Sequence, residues 1–179
     1  ILASQNLIRK GVVLDKLFES IVVQKDIKVD DILIGDKNAI LLATRILGYG
    51  ADYQVEVIDP FTGENQKVVI DLSKVQIKES NGDLFNHSNR YEFELPIAKK
   101  KVIFKLLTHK DEKDITSEIQ ALQRIQKGDS VSQDITTRLR YMIQEVDGNS
   151  ETGFINNFVK NSLLARDSRS LRNYVKDLS

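Results

Sequence analysis

The spacing of apolar residues changes twice along this chain, and that change limits the folds open to it. Leu14, Leu17, Phe18, Ile21 and Val22 recur at i, i+3, i+4, i+7 and i+8, one stripe of an amphipathic helix between Gly11 and Gln24. Asp36 then stands as an N-cap before Asn38 to Leu47, a stretch apolar around most of its circumference, with Gly48 and Gly50 as stop signals. Such a helix is expected to be the most buried one, with Ile40, Ala43 and Leu47 facing the core and Leu42 and Ile46 covered by a second element.

From Tyr53 the period falls to two. Tyr53, Val55 and Val57 alternate with polar residues, as do Val68, Ile70 and Leu72 with their neighbours. Asp59-Pro60-Phe61-Thr62-Gly63 between them has the chemistry of a hairpin turn. A second hairpin has arms Tyr91, Phe93, Leu95 and Val102, Phe104, Leu106, joined by Pro96-Ile97-Ala98-Lys99, after a polar, loop-like stretch from Glu79 to Asn89.

Helical spacing then returns. Thr108 with Asp111 resembles a capping box ahead of Ile115, Ile119, Leu122 and Ile125. Ile135, Leu139, Met142, Ile143 and Val146 mark a further helix that stops at Asp147-Gly148-Asn149. Two short helices follow, one carrying Phe154, Ile155, Phe158, Val159 and Leu163, the other Leu171, Tyr174, Val175 and Leu178. Helices, two hairpins and helices again predict an α+β fold: two antiparallel β-hairpins flanked by N-terminal and C-terminal helices. The chain divides into a helical segment 1–50, a two-hairpin β module 51–107 and a helical segment 108–179, or folds as one compact domain.

Composition narrows the function classes. At 179 residues the chain can bury roughly 70% of its unfolded surface without staples. Lys plus Arg and Asp plus Glu balance at 26 each, so no broad basic field draws the whole molecule to nucleic acid. There is no cysteine, hence no disulfide, thiolate nucleophile or cysteine-bound zinc. No stretch approaches the roughly 20 apolar residues of a membrane helix, so no membrane partner is expected and the chain reads as soluble. It begins at Ile1, with Leu2, Leu7 and Ile8 already resembling an element in progress, which predicts a piece of a longer protein.

Gly35-Asp36-Lys37 lacks the preceding strand, the second glycine and the Ser or Thr of a phosphate loop, and reads as a turn and cap. His87 and His109 have no close second ligand at metal-binding spacing and read as solvated or locally hydrogen-bonded; neither metal nor cofactor is expected. No glycine-rich nucleophile elbow supports a Ser-His-Asp hydrolase, and the carboxylates Asp30-Asp31, Asp111-Glu112-Asp114 and Asp134 read mainly as helix-start acids. No catalytic residues are assigned.

Lys99-Lys100-Lys101 beside Tyr91, Phe93 and Phe104 could form a single-strand nucleic-acid platform, but those aromatics share one alternation set with Leu95, Val102 and Leu106 and read as core. From Lys160 to Ser179, five basic residues (Lys160, Arg166, Arg169, Arg172, Lys176) stand against two acids (Asp167, Asp177), a local excess of three. Arg169, Arg172 and Lys176 share a helix face opposite Leu171, Val175 and Leu178, and are the candidate partner-docking residues; a merely solvated face is the ordinary alternative.

The run from Val29 to Tyr53, Val-Asp-Asp-Ile-Leu-Ile-Gly-Asp-Lys-Asn-Ala-Ile-Leu-Leu-Ala-Thr-Arg-Ile-Leu-Gly-Tyr-Gly-Ala-Asp-Tyr, resembles the hub and hub-assembly proteins of T4-like phage baseplates. Tyr91 to Glu112, with Leu95-Pro96 and Lys100-Lys101-Val102, is similar to the same family. So is the region from Thr136-Thr137-Arg138-Leu139 through Ala165-Arg166-Asp167-Ser168 to Leu171-Arg172. The resemblance implies non-catalytic structural or assembly work by protein-protein binding. Its partners would be other phage baseplate or tail subunits, in the virion tail or in the host cytoplasm during assembly, with a homo-oligomer as a further option. A transient hub-assembly chaperone absent from the mature virion and a nucleic-acid-binding module are the alternatives. The family pattern places a Cys-x-x-Cys in the first hairpin, at positions filled here by Asp59 and Thr62, so a metal-free turn is expected.

Overall fold

A computed structural model describes residues 13–24, 26–75, 88–125 and 130–178. The chain is α+β, as the change of period implies. Helix α1 (Val13–Ile21) and a 3-10 turn at Val29–Asp31 lead into α2 (Ile34–Tyr49) and the antiparallel pair β1 (Asp52–Ile58) and β2 (Asn65–Asp71). Another 3-10 turn, Leu72–Lys74, ends that stretch. The second hairpin is β3 (Tyr91–Glu94) and β4 (Lys101–Phe104), followed by α3 (His109–Ile125), α4 (Ser130–Met142), β5 (Ile143–Val146), α5 (Thr152–Asn157), a π-helical turn Phe158–Ser162 and α6 (Ala165–Leu178).

The main core lies around β3, β4 and β5. Leu95, Val102, Phe104, Ile115, Val146 and Leu171 are fully buried in it, and Tyr91, Leu139, Met142, Ile143, Ile155 and Phe158 are among the residues packed with them. Polar ties hold the helices over this sheet. The Arg138 guanidinium donates two parallel bonds to Glu112, at 2.7 and 2.8 Å, and a third to Asp134 at 3.0 Å, while Arg140 bridges Glu118 and Asn156 at 2.7 Å each. Thr108 and Asp111 close the expected capping box: Thr108 donates to Asp111 through its backbone N–H and its hydroxyl, both at 3.0 Å, and Asp111 N–H returns a bond to Thr108 Oγ1 at 3.3 Å.

Several expectations are corrected. Ile143 and Val146 do not continue the helix from Ile135; they form β5, which pairs antiparallel with β4, so the second hairpin becomes a three-stranded sheet ordered β3-β4-β5. Both residues are buried on either reading, and the open edge of β4, with its unpaired N–H and C=O groups, decides in favour of the strand. The two hairpins lie in separate sheets, β1-β2 and β3-β4-β5.

The helix around Asn38 to Leu47 is the least buried of the long helices rather than the most: no residue of α2 is buried, Ala43 is exposed and Leu47 is 88% exposed. Its first turn is anchored, with Ile34 N–H donating to Leu107 C=O (3.0 Å) and Leu33 bridged to Thr108, and the remainder runs off the core. Asp36 is not its cap, because the helix starts at Ile34 with Leu33 in the cap position. His109, finally, is neither solvated nor locally bonded. It is 4% exposed at the start of α3, its Nε2 lies 2.5 Å from Asp15 Oδ1 on α1, and its ring meets Phe18 at 5.9 Å. His87 and most of the Glu79 to Asn89 loop lie outside the described residues.

Candidate docking surface

Helix α2 and the β1–β2 ribbon form an arm whose apolar residues are left open. Leu47, Tyr49, Ile58, Phe61 and Val69 are all more than half exposed, and Tyr53, Val57, Val68 and Ile70 are each about two-fifths exposed. The register pairs Tyr53 with Ile70 and Val55 with Val68, so the alternation builds one continuous apolar face, as expected, but no element of the main core covers it.

Local chemistry gives the arm its shape. Gly50 adopts φ 81° to end α2, a region open to glycine at no steric cost. Arg45 reaches back from the last turns of α2, donating to Gly50 C=O (3.0 Å) and Asp52 C=O (3.3 Å), and its guanidinium lies over the rings of Tyr49 and Tyr53 at 5.0 and 5.7 Å. At the far end Asp59 takes the N–H groups of Phe61 (2.8 Å) and Thr62 (3.3 Å) on one oxygen and the Gln66 amide (3.0 Å) on the other. The Asp59 carboxylate thus serves the turn itself, an Asx-type arrangement.

The candidate docking residues Arg169, Arg172 and Lys176 all sit on α6 and are exposed, while Leu171 is fully buried and Val175 and Leu178 pack against the core. The helix is thus segregated as its sequence implies, and Arg172 Nε makes only a long 3.4 Å contact to Ser168 C=O. Sequence reasoning missed Asp167 on the same helix. It is fully buried and accepts the backbone N–H groups of Ile97 (2.8 Å) and Ala98 (3.0 Å), pinning the β3–β4 turn to α6. Its only signal was an acid in the first turn of a helix, which usually reports on the macrodipole alone.

Several other charged groups pair with one another. Lys113 lies 2.6 Å from Asp30 and 3.6 Å from Asp15, holding the 3-10 turn and α1 to α3; that ammonium depresses the Asp30 pKa, and its own is raised by Asp30. His109 Nδ1 is buried and meets no hydrogen-bonding partner, so no serine or threonine hydroxyl of the described residues stands where a nucleophile would. No group of three or more His, Asp or Glu among the described residues could hold a metal ion. Lys100 pairs with Asp147 (2.6 Å) and Lys101 with Glu92 (2.7 Å). Tyr91 and Phe104 are core, and Phe93 stacks on Tyr174 at 5.0 Å, so the aromatics considered for a nucleic-acid platform are spent inside the fold. Most of the exposed large apolar residues among the described ones lie on the arm, and Arg169 and Arg172 of α6 are exposed. No family model matches this chain, and no match to it was found among curated proteins or solved structures.

Proposed function

We propose that this chain is a non-catalytic component of a contractile-phage tail baseplate, structural or assembly-promoting, that acts by docking its α2–β1–β2 arm on another baseplate subunit. The carrying observation is that a helix apolar around most of its circumference, together with an apolar ribbon face, is left without cover by its own core. Exposed apolar patches of this kind are typical of surfaces that bind other proteins. The run from Val29 to Tyr53, which carries the resemblance to hub and hub-assembly proteins, is this same α2 with its two flanks. Arg169 and Arg172 of α6 offer a second, polar contact suited to a carboxylate-bearing partner, for which bidentate arginine geometry is selective.

The test is complex formation between the full chain and separately purified hub subunits of a T4-like phage, followed by size exclusion. The wild type should co-elute with one of them, and Val57→Lys with Ile70→Lys should abolish co-elution while leaving the circular dichroism unchanged. Arg169→Glu with Arg172→Glu should weaken the complex in a salt-dependent way. Failure of every hub subunit to bind, or binding indifferent to the arm substitutions, would contradict the proposal. Immunodetection in purified particles separates a retained component from a transient hub-assembly chaperone.

A further inference from the structure

The β1–β2 ribbon has two strands and therefore two edges, and among the described residues neither edge carries a further strand. Which backbone groups face outward follows from the bonds that flank the ribbon. Asp59 N–H donates to Glu64 C=O and Leu72 N–H to Ala51 C=O, both at 2.9 Å, so Asp59/Glu64 and Ala51/Leu72 are in the hydrogen-bonded phase. The phase repeats every second residue. On β2, the N–H and C=O groups of Gln66, Val68 and Ile70 are thus directed to β1, and those of Asn65, Lys67, Val69 and Asp71 point to the free edge.

The two edges differ. On β1 the outward residues are Asp52, Gln54, Glu56 and Ile58; Arg45 already occupies Asp52 C=O, and antiparallel self-pairing centred on Gln54 or Glu56 sets acid against acid. On β2 the registers that keep the outward phase have different consequences. Centring on Lys67 or Asp71 sets like charges opposite, and centring on Val68 or Ile70 leaves both charges without an opposite partner. Centring on Val69 sets Lys67 of each copy against Asp71 of the other and Val68 against Ile70. Lys67 is 81% exposed, with only a long 3.9 Å approach to Glu56. Asp71 uses one oxygen for the N–H and hydroxyl of Ser73, and its other oxygen lies 3.3 Å from Lys74, itself 81% exposed.

We propose that two copies of this chain join through the free edge of β2, in antiparallel pairing centred on Val69, to make one four-stranded sheet. The twofold axis then passes through the sheet at Val69, perpendicular to it, and both Tyr53–Val55–Val57 faces fall on the same side. Such an isologous contact closes on itself and removes the exposed β2 edge. The pairing deepens the docking reading of the arm, because the partner would then meet a doubled apolar face.

Sedimentation of the full chain across a wide concentration series should show a dimer. Val69→Pro removes only an outward-facing donor, a change tolerated at a strand edge, and should give a folded monomer. Lys67→Asp should weaken the dimer by at least about tenfold by placing like charges opposite, and Lys67→Asp combined with Asp71→Lys should restore it. The chain contains no cysteine, so Val69→Cys can cross-link only to its own copy. Hydrogen-bonded pairs hold Cα atoms about 5.5 Å apart, inside the disulfide range of about 4.4–6.8 Å, so this variant should form a covalent dimer on oxidation far more readily than Val68→Cys. A chain that stays monomeric, or a dimer undisturbed by Val69→Pro, overturns the pairing. If that monomer still binds hub subunits through the arm, the docking reading stands without it.

Discussion

Asp167 joins the C-terminal helix to the three-stranded sheet through a buried carboxylate that accepts two backbone N–H groups of the β3–β4 turn. Truncating it removes the acceptor of both donors, so Asp167→Ala should destabilise the fold by about 1–3 kcal/mol in urea titration. Glu112 illustrates the charged ties nearer the surface. Its two bonds from Arg138 hold its pKa below the ordinary carboxylate value of about 4.3. A depressed folded-state value means that the stabilisation is fully present above the unfolded value and is lost as pH falls through the folded one. The pair is partly exposed, so Glu112→Gln should cost about 1 kcal/mol or less near neutrality. The difference between mutant and wild type should shrink as the pH is taken below 4. A difference that stays constant through that range would show that the pair's charge is not what stabilises it.

Helix α2 departs most from what its sequence suggests. Apolar residues all round a helix indicate burial, yet Leu47 is 88% exposed, so Leu47→Ala should change stability by less than about 0.5 kcal/mol. Leu95→Ala, at a fully buried position beside the β3–β4 turn, should cost about 2–5 kcal/mol. The two values, read from urea midpoints, locate the core independently of any partner. Much of the organisation was legible in the sequence: both hairpins, the capping box at Thr108, and α6 with Leu171 inward and Arg169 outward all follow from period and local chemistry. What was not legible depended on contacts distant in sequence. Only the open edge of β4 makes Ile143 to Val146 a strand, only α1 brings Asp15 to His109, and periodicity records that α2 is apolar without recording which molecule covers it.

At the scale of the whole molecule the chain separates into a satisfied core and an unsatisfied arm. The core around β3, β4 and β5 buries its aromatics and pairs most of its charges, whereas α2 and the ribbon keep Leu47, Ile58, Phe61 and Val69 largely in water. A chain that spent this surface on itself would have no reason to leave Phe61 97% exposed at the ribbon tip. The measurement that bears most directly on this division is amide hydrogen exchange of the full chain, alone and with a hub subunit of a T4-like phage, because it reports contact segment by segment. If the arm is the docking surface, added protection should fall on residues 40–71, with smaller changes around Arg169 and Arg172 and none in β3–β5. Protection confined to α6, or no change along the arm in a complex that demonstrably forms, would contradict it.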